Sequence, residues 1–151
     1  MKKTTLIITT ILVTAALVWA GIEYKKVRWW MLQDVEFKKE WNDDIEGYLE
    51  KPVFGQRVLD LDGKKIEIAG YVIPVDISSG DYVLSAYPFS QCYFCGGAGP
   101  ESVVELNISG KSAKFKTDDY VTFRGNFRLN STDMLHLNYI LDEAAVHKTD
   151  E

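Results

Sequence analysis

The chain has 151 residues, 46% of them hydrophobic and 13% aromatic, with a net charge of −5. That supplies apolar material for one ordinary core and too little for two, so one folded domain is expected. The acid excess opposes a nucleic-acid partner, because a surface of that sign repels phosphates and the lysines are scattered among carboxylates.

Lys2 and Lys3 precede an uncharged run from Thr4 to Ile22 that is rich in Leu, Ile, Val, Ala and Thr. A charged start before such a stretch is an export signal. Val18-Trp19-Ala20 before Gly21 offers a cleavage site, so residues 1–22 read as a signal peptide or, since the run is long enough to span a bilayer, a membrane anchor. The flank Tyr24-Lys25-Lys26-Val27-Arg28-Trp29-Trp30 mixes cations with interfacial aromatics and favours the anchor. A transmembrane N-terminal helix with the domain outside places the protein in the bacterial cell envelope, facing the periplasm from the inner membrane, or free in the periplasm if the leader is cleaved. No cysteine follows the apolar run, so no lipoprotein acylation site is found, and loss of residues 1–20 leaves 15 basic against 22 acidic side chains, a net of −7.

Residues 23–51 are expected to form a helical connector. Phe37, Trp41, Ile45 and Tyr48 or Leu49 recur at spacings of three and four, which lines one face of an amphipathic helix, and Lys51-Pro52 ends it. Such a helix packs on the domain or lies at the membrane surface.

From Phe54 the period becomes two, and residues 52–143 read as the folded domain. The first strand runs from Lys64 to Pro74, with Ile66 and Ile68 slipping phase to Ala69, Tyr71 and Ile73 across Gly70, where a bulge or sharp coil is expected. Asp81 to Ala86 is the second strand and Ser102 to Ser109 the third, with Val104, Leu106 and Ile108 inward. Val121, Phe123, Phe127 and Leu129 alternate around Gly125 in the fourth. Ser131-Thr132-Asp133 makes the last hairpin, Leu135, Leu137, Tyr139 and Leu141 line the fifth strand, and residues 144–151 are a polar tail. Five short strands, one curled at a glycine, with a long loop after the second, fit an all-β, five-stranded OB-like barrel better than a sandwich, which needs about seven strands.

The run from Val53-Phe54 through Asp62-Gly63-Lys64 into Ile68-Ala69-Gly70-Tyr71-Val72-Ile73-Pro74, then Tyr87-Pro88 to Cys92 and Pro100-Glu101-Ser102, resembles domain-of-unknown-function family 3299 over residues 52 to 143. These are exported bacterial proteins with a strand of this GYxIP type before a cysteine-bearing loop. The resemblance implies an OB-like fold and an envelope location, and no established reaction. Where relatives carry a single cysteine with a nearby histidine and a proline run, this chain has Phe94 and Cys95-Gly96-Gly97, so no Cys/His metal site carries over.

Cys92 and Cys95, the chain's two cysteines, share that glycine-rich loop. A C-x-x-C pair closes a disulfide, supplies half a metal shell, or cycles between thiol and disulfide. After export the structural disulfide is the default. A divalent transition metal would need His136, His147, Asp76 or a second subunit beside Cys92 and Cys95, with His136 the foremost candidate third ligand. Thiol exchange is disfavoured, since Gly96-Gly97-Ala98-Gly99-Pro100 is a poor start for the helix that lowers a thiol pKa. Covalent haem needs a histidine where Gly96 stands. His147 invites comparison with envelope haem chaperones, but no tyrosine follows it. Tyr87, Phe89, Tyr93 and Phe94 on the loop cap a barrel end or stack on a planar ligand. With no Ser/His/Asp signature and no phosphate loop, the sequence reads as a non-enzymatic binding module for an unknown protein or small ligand. Metal or haem handling is the alternative reading, and thiol oxidoreduction a further one.

Overall fold

The computed structural model describes residues 23–43, 45–76, 81–108 and 114–149, without the side chains of residues 148 and 149. The signal or anchor expected at residues 1–22 lies outside them. Among the described residues no helix is long and apolar enough to cross a membrane. The elements in chain order are β1 (Lys25–Lys26), α1 (Trp29–Leu32), β2 (Val35–Asn42), β3 (Gly47–Phe54), α2 (Gln56–Leu59), β4 (Lys65–Asp76), β5 (Asp81–Ser85), β6 (Val103–Ile108), β7 (Tyr120–Leu129) and β8 (Tyr139–Thr149).

Five strands close into a barrel in the order β4-β5-β6-β8-β7 and back to β4, with β6 and β8 parallel and the other neighbours antiparallel. This is the OB-like all-β barrel that the strand pattern predicts. Closure falls to β4, which pairs with β7 from Lys65↔Asn126 to Tyr71↔Tyr120 and with β5 from Tyr71 onward. Gly70 stands at that handover. A Cβ there would lie 2.5 Å from the Ser85 carbonyl and 3.0 Å from Leu84 and Trp29, so only glycine lets the two strands approach. The phase slip expected at Gly70 is absent, however: Ile66, Ile68, Gly70 and Val72 all point inward, and the change comes at Val72-Ile73, where both residues are buried.

A second glycine marks the β7–β8 ladder. Between Arg124↔Ala145 and Asn126↔Asp142, Gly125 faces both Glu143 and Ala144, a bulge in which Glu143 takes φ of 53°. The polar tail expected from residue 144 is corrected by this ladder, which continues to Val121↔Thr149, because backbone pairing holds polar residues as readily as apolar ones on an outer face. Ala144 there is fully buried.

Two other expectations are overturned. Leu135 is 91% exposed and β8 begins only at Tyr139. Residues 130–138 are instead a loop wound around Asn130, whose amide donates to the carbonyls of Asp133, His136 and Leu137 while its oxygen accepts from the Thr132 and Asp133 N–H groups. Among its described residues, the segment 23–51 expected as a helical connector holds a single four-residue helix, and most of it is the hairpin β2–β3, registered from Val35↔Phe54 to Asn42↔Gly47. Asn42 Oδ1 accepts the Ile45 N–H at 3.1 Å and organises the turn.

Nor is this segment a mere connector. Its Val27 and Leu32, with Val58 and Leu61 just after it, enter the same core as Ile66, Phe123 and Tyr139. Asp34 fixes the hairpin base: its carbonyl accepts Gly55 N–H at 2.7 Å, and its carboxylate accepts Arg57 N–H at 3.0 Å, capping α2 where Gly55 has no side chain to do so. Tyr139, buried between the rings of Phe54 and Phe127, donates its hydroxyl to the Leu32 carbonyl at 2.7 Å.

Candidate functional site

The cysteine loop, residues 86–102, is built of three single turns of 3-10 helix, Phe89–Gln91, Tyr93–Cys95 and Pro100–Ser102. Its neck is closed by Ala86 N–H donating to the Ser102 carbonyl at 2.9 Å. The Cys92 carbonyl accepts from both Cys95 and Gly97, so the chain doubles back on Cys92, helped by Gly96 at φ of +75°. A Cβ on Gly97 would lie 2.6 Å from the Gln91 carbonyl.

Cys92 is fully buried and Cys95 exposed. The disulfide expected of the pair is not formed: both are free cysteines. The Cys95 thiol is pushed up from its ordinary value, first by desolvation and then by Cys92 beside it. Among the described residues no three His, Cys, Asp or Glu side chains come together as a metal shell, so Cys92, Cys95 and His136 do not assemble one. His136 instead places Nδ1 2.7 Å from Glu105 Oε1, and its pKa is raised chiefly by that hydrogen bond. His147 lies 3.5 Å from Glu67, which pairs with Arg124 on the neighbouring strand.

The loop crosses the outside of the barrel. Phe89 N–H donates to Asp118, whose own N–H bonds the Val72 carbonyl, and Tyr93 lines one cleft with His136; on the barrel's outer side lie Ile73, Val83, Val103 and Ile140. Those residues are as buried as the inward ones. The face of the second and third barrel strands, which OB folds offer to oligonucleotides, is therefore covered here by the chain itself.

Beyond Tyr93 lies a cleft of about 600 Å³. Three segments wall it: Phe37 and Leu49 to Pro52 of the hairpin, Tyr93 and Pro100 of the cysteine loop, and Ser131 to Met134 with His136 to Asn138 of the loop before β8. The hairpin register puts Phe37, Trp41, Tyr48 and Pro52 on one face. Trp41 and Tyr48, 56% and 69% exposed and stacked edge-on at 5.2 Å, thus carry the cleft's aromatic wall outward to the hairpin tip. The charges in the walls already have partners: Lys51 pairs with Glu40 at 2.6 Å, Glu50 with Lys39 at 4.0 Å, His136 with Glu105, and Asp133 accepts the Leu135 N–H. Besides these engaged groups the cleft offers a ligand ring faces and the neutral hydrogen-bonding groups of Ser131, Thr132 and Asn138.

Of the aromatics expected to act together, Tyr93 reaches this cleft, and Phe94 packs edge-on against it at 5.5 Å. Tyr87 lines a smaller cavity of about 180 Å³ with Trp29, Gln33 and Gly97 to Gly99, and Phe89 is exposed apart from both. The hairpin half of the cleft is missing from the sequence reading. Its signal was the pair Trp41 and Tyr48 flanking Asn42-Asp43, an aromatic cross-strand pair around a turn.

No family model and no curated protein matches the chain. Among solved structures, the crystal structure of a DUF3299 family protein from Pseudomonas aeruginosa PAO1 matches with a TM-score of 0.53 at 13% identity, covering 85% of this chain and 99% of that one. The likeness shows the fold. The neighbour belongs to the family that the GYVIP strand and cysteine loop resemble.

Proposed function

We propose that the protein is a binding module of the bacterial cell envelope, tethered or delivered there by residues 1–22, that takes an uncharged ligand in the cleft between the hairpin, Tyr93 and the loop before β8. One observation carries this reading: three segments far apart in sequence converge on one cleft whose charged wall groups are each engaged within the protein, Lys51, Glu50 and His136 in ion pairs and Asp133 by the Leu135 N–H, while its rings stay exposed. A charged ligand would have to break those pairs. An uncharged ligand with apolar faces and hydroxyl or amide groups, such as an oligosaccharide, needs only stacking and neutral hydrogen bonds.

Metal or haem handling and thiol oxidoreduction are less well supported. Ligation and exchange both require a thiolate, whereas Cys95 is shifted towards the thiol, and His136 is engaged by Glu105. The test is titration of the purified chain with an uncharged oligosaccharide panel and, separately, an uncharged proline-rich peptide, followed by amide chemical shifts. Shifts confined to residues 37, 41, 48–52, 93 and 131–138 are expected with the oligosaccharides, with affinity weakened roughly tenfold by Tyr93→Ala or Trp41→Ala, as one lost ring contact implies. Shifts elsewhere, or only with the peptide, would sink this ligand class.

A further inference from the structure

We infer that the end of the barrel formed by β1, α1 and α2 docks on an anionic lipid surface. Lys38, Lys39, Lys51, Arg124 and Arg128 are all in ion pairs with carboxylates. Among the described residues six cations at this one end, Lys25, Lys26, Arg28, Arg57, Lys64 and Lys65, are exposed and have no carboxylate within ion-pair distance; elsewhere this holds only for Lys114 and Lys116.

The fold gathers these six from two stretches of chain. Pairing of β1 with the start of β4 sets Lys25 against Ile66, and Lys25, Lys64 and Lys65 share the rim of one shallow depression. The contact of α1 with α2 lays the Arg57 guanidinium over the Trp30 ring, 5.0 Å from its centre. Four carboxylates dilute the cluster, Glu23, Asp34, Asp60 and Asp62, while Glu67 opposite Lys26 is taken up by Arg124; against six cations the four leave the end net positive. A protein of net charge −5 thus keeps a positive end.

The apolar groups there suit a bilayer interface. Of the adjacent tryptophans, Trp29 turns inward and donates Nε1–H to the Ala69 carbonyl at 2.8 Å, while Trp30 stays 53% exposed, with Leu59 exposed as well. Trp with Arg over its ring is the pairing found at headgroup level, where the ring sits in the interface and the guanidinium meets phosphate. Basic clusters draw protein to anionic lipid within about a Debye length of the surface. The chain enters this end at Glu23, directly after its apolar run. The docking depends on these side chains and not on the cleft.

The experiment is hydrogen exchange of the full chain with vesicles of phosphatidylcholine alone and of phosphatidylcholine with phosphatidylglycerol. Amides of residues 56–66 are expected to exchange severalfold more slowly on the anionic vesicles only, and to recover when salt rises from roughly 0.1 to 1 M. Each surface cation is worth roughly fivefold at such a membrane, so reversing two in Arg57→Glu/Lys64→Glu should abolish the protection, while Lys114→Glu/Lys116→Glu keeps it. Equal exchange on both vesicle types, equal loss in both double variants at matched thermal stability, or protection by an oligonucleotide instead would overturn the inference.

Discussion

Glu105 holds two donors at once, His136 Nδ1 at 2.7 Å and the Leu137 N–H at 3.0 Å, and so pins one wall of the cleft. Because the hydrogen bond and charge of Glu105 raise the His136 pKa above its ordinary 6.5, the folded state binds that proton more tightly than the unfolded chain. The pair therefore stabilises fully below pH 6.5 and loses its contribution as pH rises through the raised folded value. A histidine titration by NMR should show the raised pKa in the wild type and its return towards 6.5 in Glu105→Gln, with ligand affinity of the cleft falling over the same interval; identical titration in both proteins would remove Glu105 as the cause. The cysteines illustrate what sequence spells out at this scale. The C-x-x-C spacing located the loop and its glycines, but spacing is silent about burial, which separates sheltered Cys92 from Cys95. With its thiol pushed up, Cys95 should alkylate at neutral pH more slowly than a free cysteine, and Cys92 only on unfolding. Two equally fast sites, or none in the denatured chain, would contradict the free-thiol arrangement.

The barrel strands were legible at the scale of elements because each buries one face, and a period of two survives in the sequence wherever that holds. The hairpin was not legible for a physical reason. A spacing of four, as from Phe37 to Trp41, returns to the same face of a helix and equally to the same face of a strand, so it cannot separate the two. Exposure of both hairpin faces removed the alternation that would have decided it. The loop after β7 failed differently: Leu135 and Leu137 keep the right period, but Asn130 binds three carbonyls of that segment and takes them from any ladder. At the hairpin base, Asp34 is the element's determinant. Its replacement in Asp34→Ala should cost about 1 kcal/mol, the usual worth of a helix cap, and should free the Arg57 amide to exchange. Gly55→Ala attacks the same joint from the other side, since its Cβ would fall 2.3 Å from the Asp34 carboxylate. A denaturant midpoint unchanged in Asp34→Ala would show that the hairpin is held by Phe54 and Tyr139 alone.

For the whole molecule the question is what makes an N-terminal arm and a barrel one body. The hydrophobic answer is the shared core, where Leu32, Val58 and Leu61 meet Phe127 and Tyr139. The polar answer is a set of bonds, β1 pairing with β4, Trp29 Nε1–H to the Ala69 carbonyl and, across the longest stretch of sequence, Tyr139 Oη–H to the Leu32 carbonyl 107 residues away. Burial pushes the Tyr139 phenol far above its ordinary value, so it stays neutral and a donor at any pH the fold survives. The carbonyl it serves is at the end of α1, where a short helix leaves its last acceptors without intrahelical partners. Removing only the hydroxyl, in Tyr139→Phe, keeps the rings packed but strands that carbonyl in an apolar site. The expected loss is about 1–3 kcal/mol, the price of an unmet buried acceptor. It should appear in two places: a lower denaturant midpoint, and faster amide exchange in residues 28–33, while β5 and β6 keep their protection relative to the global transition. If exchange instead accelerated uniformly, the arm and barrel would be one cooperative unit with no weaker seam; if nothing changed, the hydroxyl would not be what joins them.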